Sequence, residues 1–320
     1  MKGYGPVDAM VYPRFSGIRT FMRLPHVNDL DGVDFAIIGA PFDTGATYRV
    51  GARFGPEAIR SASALLRPFH PDLNVDIFQH LSGIDYGDFA VVPGYLPETH
   101  AKITEQMRPV LAANVTPIVL GGDHSVTLPE LRAVAEKFGP VALIQFDSHG
   151  DVWSGYFGGK DTHGTPFRRA IEEGLLDLPR SSQVGLRGPV YEAADIQQSR
   201  DFGFQVFTAG EVRKVGLDSV ITAVKTRAGS GPCFLTFDID FVDPTFAPAT
   251  GTPEVGGFSS WECQYLLRGM QGIHFVAYDL VEVSPPYDTP GATTALLAAN
   301  LVYEFIALLA SSRAAGTAAA

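Results

Sequence analysis

The sequence is short of several things, and each shortage closes off a class of function. Cys233 and Cys263 are the only cysteines in 320 residues. Two are too few for a disulfide framework and suit a reducing compartment. No block of five or more Lys and Arg residues occurs, and the net charge is −11. That balance argues against nucleic acid or an anionic membrane as a partner. Neither a leader pattern nor an apolar run of the ~18–20 residues that span a bilayer stands out, so the expectation is a cytoplasmic protein. Charged residues make up only 18% and apolar ones 46%, which is the composition of a chain that buries a large core without staples.

The order of apolar runs and breakers reads as one domain over 1–320. An N-terminal arm, 1–31, is punctuated by Pro6, Pro13, Gly17 and Pro25. Strands are expected near 33–39, 84–89, 117–124, 141–147, 182–187, 205–208, 234–240 and 274–283. Helices are expected near 56–66, 97–114, 125–138, 166–173, 259–269 and 293–309, with Ser125 capping the third and a frayed tail at 312–320. Strands alternating with helices imply an α/β fold with a mainly parallel sheet, in which ligands bind beyond the carboxyl ends of the strands.

The residues with chemistry to offer sit at those ends. In the stretch Phe146–Asp151 after the apolar run 140–145, Asp147, His149 and Asp151 stand at i, i+2 and i+4, a spacing that puts them on one side of an extended backbone. His124 closes Gly121-Gly122-Asp123-His124, Asp238 and Asp240 close another strand, and Glu282 closes the last. Four aspartates and two histidines gathered on one rim repel without a cation between them. Imidazole and carboxylate donors suit Mn²⁺, Ni²⁺, Fe²⁺, Co²⁺ or Zn²⁺, and the carboxylate excess favours Mn²⁺. Six donors exceed what one ion with an open position needs, so two ions sharing carboxylates are expected, an arrangement that activates water. His26, His70, His80, His100 and His274 lie outside these ends and read as structural or solvated.

The motifs Gly121-Gly122-Asp123-His124, Asp147-Ser148-His149-Gly150-Asp151, His163-Gly164-Thr165-Pro166, the run 237–244 with 247–253, and Glu282-Val283-Ser284-Pro285 resemble those of the ureohydrolases, the arginase and agmatinase superfamily. The resemblance implies a three-layer α/β/α arginase-like fold, two Mn²⁺ ions, and hydrolysis of a guanidino group to urea and an amine by metal-bound hydroxide. It makes His124 and Asp151 terminal ligands of one ion, His149 and Asp240 of the other, and Asp147 and Asp238 the bridges. Glu282 would pair with the substrate guanidinium, His163 would shuttle protons from a flexible rim loop, and Asp151 would pass one to the leaving amine. It also implies a trimer or hexamer, in which the arm is a plausible contact.

Trp153 stands where arginases carry an asparagine that helps hold the α-carboxylate of arginine, so a simpler guanidine is expected. The segments 153–161, 163–169 and 13–25 look like the agmatinase branch, with closest likeness to guanidinobutyrase and guanidinopropionase members. Trp153 and Tyr156 are candidate substrate contacts. Arg49, Arg53 and Lys160 could clamp a carboxylate, while Asp43 or Asp161 could receive the amine of agmatine. Ser148 and Gly150 stand where relatives usually have Ala and Ser or Thr. Gly150 would loosen the loop and widen the space beside the ions, which keeps open a compact or N-alkylated guanidine and a Ni²⁺ enzyme. A different class also remains open, a non-catalytic subunit paired with an active paralogue.

Overall fold

A computed structural model describes residues 3–192 and 194–316. In chain order the elements are β1 (Phe35–Gly39), α1 (Gly55–Ser63), a small antiparallel pair β2 (Phe69–His70) and β3 (Val75–Asp76), α2 (Ile77–His80), β4 (Gly83–Asp88) and α3 (Leu96–Ala112). Then come β5 (Thr116–Leu120), α4 (Thr127–Phe138), β6 (Ala142–Phe146), α5 (Pro166–Glu172), β7 (Ser182–Leu186), α6 (Asp195–Phe202) and β8 (Gln205–Thr208). The chain ends with α7 (Ala209–Val215), α8 (Leu217–Ala228), β9 (Cys233–Asp238), α9 (Ser260–Gly269), β10 (Phe275–Val281) and α10 (Thr293–Ala314).

Eight strands form one sheet in the order β4-β1-β5-β10-β9-β6-β7-β8, every pairing parallel. Strand residues alternate between two apolar layers. Phe35 and Ile37 face the helices α1, α2 and α7 to α10, while Ala36 and Ile38 face α3 to α6. Both faces are covered, which is why β9 and β10 are buried along their whole length and read as continuous apolar runs. This is the expected α/β/α sandwich. β5 and β6 are consecutive in the chain, yet β10 and β9 lie between them. The winding direction changes there, and the four strands β5, β10, β9 and β6 carry every candidate ligand on their carboxyl ends.

Three local expectations need correction. The turn His124–Val126 is capped by Asp123, whose Oδ1 accepts from the Ser125 main-chain N–H at 3.0 Å; Ser125 does not cap α4. The Ala-rich end is helical through Ala314 and tied down by Arg313 to Asp34 at 2.6 Å, while 317–320 lie outside the described residues. α10 is long and apolar enough to cross a membrane by length and composition, contrary to the reading that no run reaches that length, but 83% of its apolar window is buried within the protein. The helix packs against α1, α2 and α9, so its apolarity on all sides is that of a core helix.

The arm divides in two. Phe21, Met22 and Leu24 are buried, and the Phe21 N–H donates to Asp85 Oδ2 at 2.8 Å, whereas Met10, Val11, Tyr12, Phe15 and Ile18 are exposed.

Candidate metal centre

Strand β5 ends at Leu120, and the backbone then passes beneath the loop after β1. A Cβ at Gly122 would fall 1.7 Å from Phe42 O, so only glycine permits that crossing. It delivers His124 to the centre of the rim. His124 Nε2 lies 2.9 Å from Thr236 Oγ1, which leaves Nδ1 facing Asp151 Oδ2 at 2.9 Å, Asp147 Oδ2 at 3.2 Å and Asp238 Oδ2 at 3.3 Å. Nδ1 is fully buried and has no hydrogen-bond partner among the described residues. A buried imidazole nitrogen with a lone pair and three carboxylates around it fits a cation.

The second group lies beside the first. His149 Nδ1 is 3.0 Å from Asp240 Oδ2 and 3.7 Å from Asp147 Oδ1, and Asp240 Oδ2 is likewise buried without a partner. Two ligand sets therefore form, His124 with Asp147 and Asp151, and Asp147 with His149 and Asp240. Asp147 belongs to both and turns one oxygen to each. Asp238 faces His124, while its Oδ1 accepts from the Asp240 N–H at 2.8 Å.

The protonation energetics call for positive charge. Burial raises Asp147 to about 7, with Asp151 and Asp240 adding to it. Burial and the same kind of crowding push Asp238 well above the carboxylate range. Burial alone would depress His124, yet Asp147, Asp151 and Asp238 hold it well above its ordinary value.

The Asp147 loop is not the extended segment that the i, i+2, i+4 spacing suggested. β6 stops at Phe146, and Asp151 has φ +51° in the left-handed region. A curled loop, not period-two alternation, brings the three side chains together. It is braced from below by two glutamines that sequence reading passed over. Gln145 Nε2 donates to Asp147 Oδ2 at 2.7 Å and to His149 O at 3.1 Å, and Gln183 Nε2 donates to Gln145 Oε1 at 2.6 Å and to Gly150 O at 2.8 Å. The available signal was a glutamine, Gln145, inside an otherwise apolar strand. Gly150 does not widen the space beside the ligands: a Cβ there would point at Ser199 Oγ, 2.8 Å away on α6.

His163 also differs from expectation. It is only 8% exposed, enclosed by the loops on either side of it rather than standing out on the rim. Its main-chain N–H donates to Gly45 O at 3.0 Å, its Nδ1 is 2.9 Å from Glu282 Oε1, and the Thr47 N–H donates to its Nε2 at 3.1 Å. A main-chain N–H can only donate, so Nε2 accepts and the ring is neutral in this arrangement. Burial pushes the ring down, but Glu282 and Asp123 raise it to about 9; protonation therefore requires Nε2 to release Thr47. Glu282, at φ +65°, also accepts from the His124 N–H at 2.8 Å.

A cavity of about 570 Å³ opens over the centre, walled by His149, Asp151, Asp238, His163, Trp153, Tyr156, Tyr191, Arg49 and Glu254 among others. Trp153, Tyr156 and Tyr191 pack edge-on with ring centres 5.8–6.4 Å apart. Asp147, His124, Asp240 and Glu282 lie behind this wall. Arg53 is spent on Asp43, with Nε to Oδ1 at 2.6 Å, and neither Lys160 nor Asp161 reaches the cavity.

The arginase family model matches residues 33–308. The chain belongs to the arginase family. It is 45% identical to a guanidinobutyrase of Pseudomonas aeruginosa, over 95% of this chain and 96% of that one. It is 44% identical to a guanidinopropionase of the same organism, over 97% of each. The solved structure of proclavaminate amidino hydrolase from Streptomyces clavuligerus superposes with a TM-score of 0.90 at 39% identity, covering 94% of this chain and 100% of that one. The arginase-family match spans all four ligand-bearing strand ends.

Proposed function

We propose that the chain hydrolyses the guanidino group of a linear guanidine other than arginine, consuming water and giving urea and an amine, with two Mn²⁺ ions held by His124, Asp147, His149, Asp151, Asp238 and Asp240. The observation that carries this reading is the position of Asp147, one carboxylate shared by two ligand sets just behind the wall of the cavity. When bound, the ion pair supplies charge compensation and an activated water for a guanidino carbon that is otherwise a poor electrophile. The carboxylate-rich donor set supports Mn²⁺ over Ni²⁺.

The remaining work falls to side chains. Asp151 borders the cavity, where it would take up the proton released by the attacking water and pass it to the departing amine. His163 also borders it and carries protons outward, while Glu282 orients the imidazole from behind. Trp153, Tyr156 and Tyr191 exclude water and receive the methylene chain. Among the described residues Arg49 is the one Lys or Arg side chain on the cavity wall, where it stacks on Tyr48 and Tyr287 and is without a carboxylate partner. It supports an ω-guanidino acid such as 4-guanidinobutyrate over agmatine. The exposed apolar side chains of the arm support a homo-oligomer, for which the family resemblance implies a trimer or hexamer, and the acidic charge and two unpaired cysteines support a cytoplasmic setting.

A substrate panel tests the reading. Urea release is measured with 4-guanidinobutyrate, 3-guanidinopropionate, agmatine, arginine, guanidine and dimethylguanidine, with Mn²⁺ and with Ni²⁺. The guanidino acids with Mn²⁺ are expected to give the highest kcat/KM. Arg49→Gln is expected to raise KM for them at least about 10-fold, the loss of a charge-assisted pair of ~1.5–3 kcal/mol, with kcat little changed. A preference for dimethylguanidine would move the assignment to N-alkylated guanidines read by the aromatic wall.

A further inference from the structure

We propose that Ser148 is a positioning residue that sets the strength of one cation site of the two, the one built from His149 and Asp240. The inference rests on the two-cation reading above. Ser148 follows Asp147 directly and is 1% exposed. Its hydroxyl donates to Asp240 Oδ1 at 2.7 Å, and its main-chain N–H donates to the same oxygen at 3.1 Å. The opposite oxygen, Oδ2, is the buried one without a partner, 3.0 Å from His149 Nδ1. Two donors on Oδ1 stop the carboxylate from rotating and leave Oδ2 alone to face a cation.

The hydroxyl is selective between the sites. Its other neighbour is His149 Nδ1, at 3.1 Å, so both of its polar contacts are with ligands of the same set. The first set is braced by different groups, Thr236 on His124 and the Glu282 carboxylate on the His124 N–H. Removing the Ser148 hydroxyl leaves Asp240 Oδ1 with a single, longer hydrogen bond and frees the carboxylate to turn. Partners that orient ligands in this way are worth about 10–100-fold in metal affinity. The two cation sites are therefore separable by one hydroxyl that binds no substrate.

The test is calorimetric titration of Mn²⁺ into metal-free wild type, Ser148→Ala and Ser148→Thr, with thermal melting of each metal-free protein. Wild type is expected to take up two equivalents. Ser148→Ala is expected to bind one of them unchanged and the other about 10–100-fold more weakly, with the metal-free melting temperature unaltered, and Ser148→Thr, which keeps the hydroxyl, to restore the second. Equal affinities in wild type and Ser148→Ala would overturn this inference alone, as would a matched weakening of both equivalents with a lower metal-free melting temperature. Fewer than two equivalents in wild type would overturn the two-cation reading and this inference with it.

Discussion

At the scale of the residue, Asp147 is where the account can be broken most cleanly. Because it faces both His124 and His149, Asp147→Ala is expected to lose both equivalents of metal, with urea release falling to background. Elemental analysis after dialysis checks this, and retention of either equivalent would remove Asp147 from the shared position. The ligands themselves were legible in the sequence, since an Asp or His at the end of an apolar run has few structural reasons to be there. Their supports were not. Gln183, Thr47 and Thr236 act on residues far away in the chain that the fold brings beside them, and no spacing in the chain announces that meeting. Glu282 was assigned to the substrate guanidinium through the family resemblance. Its Oε1 is taken up by the His124 N–H and His163, contacts that only the assembled rim reveals.

At the scale of the element, strands were easier to find than the loops that leave them. β8 falls on its expected range, and β9 and β10 begin within about a residue of theirs; for β9 and β10 the reason is burial on both faces, which writes an unbroken apolar run. The loop after β6 misled, since a period-two argument holds only while the backbone stays extended, and Asp151 is left-handed. Helix α3 carries a different surprise in His100, one of the histidines read as structural or solvated. It is buried, its Nε2 has no partner among the described residues, and burial lowers it to about 3, with Arg132 acting in the same direction.

The consequence for stability has a definite sign. The folded value lies below the unfolded one, so His100 contributes nothing adverse above about pH 6.5. As pH falls from there towards 3, the unfolded chain takes up a proton that the folded chain refuses. Stability should drop by at most ~1.4 kcal/mol per pH unit from this group. Denaturant titrations at pH 7, 6 and 5 are expected to show a shallower decline for His100→Leu than for wild type. Parallel declines would place the acid sensitivity elsewhere.

At the scale of the molecule, function follows from one reversal in winding order. Because β10 and β9 are laid between β5 and β6 after the flanking strands are made, segments from residue 121 to residue 282 converge on one rim. Ligands gather at such a switch point in open parallel sheets, and here the four central strands deliver the metal-ligating groups while the β1 loop and the 153–163 segment wall the cavity. The sequence order of the motifs implied convergence, but the sandwich faces could be argued only as a class, and the two-part arm not at all. Its buried half depends on Asp85, some sixty residues away, receiving the Phe21 N–H.

The most direct test of the whole account is urea release from 4-guanidinobutyrate measured while Mn²⁺ is added stepwise to the metal-free protein. The account predicts that activity rises until two equivalents per chain are bound and then stays level. Two equivalents bound without urea from this or any other guanidine in the panel, or full activity at one equivalent, would contradict it.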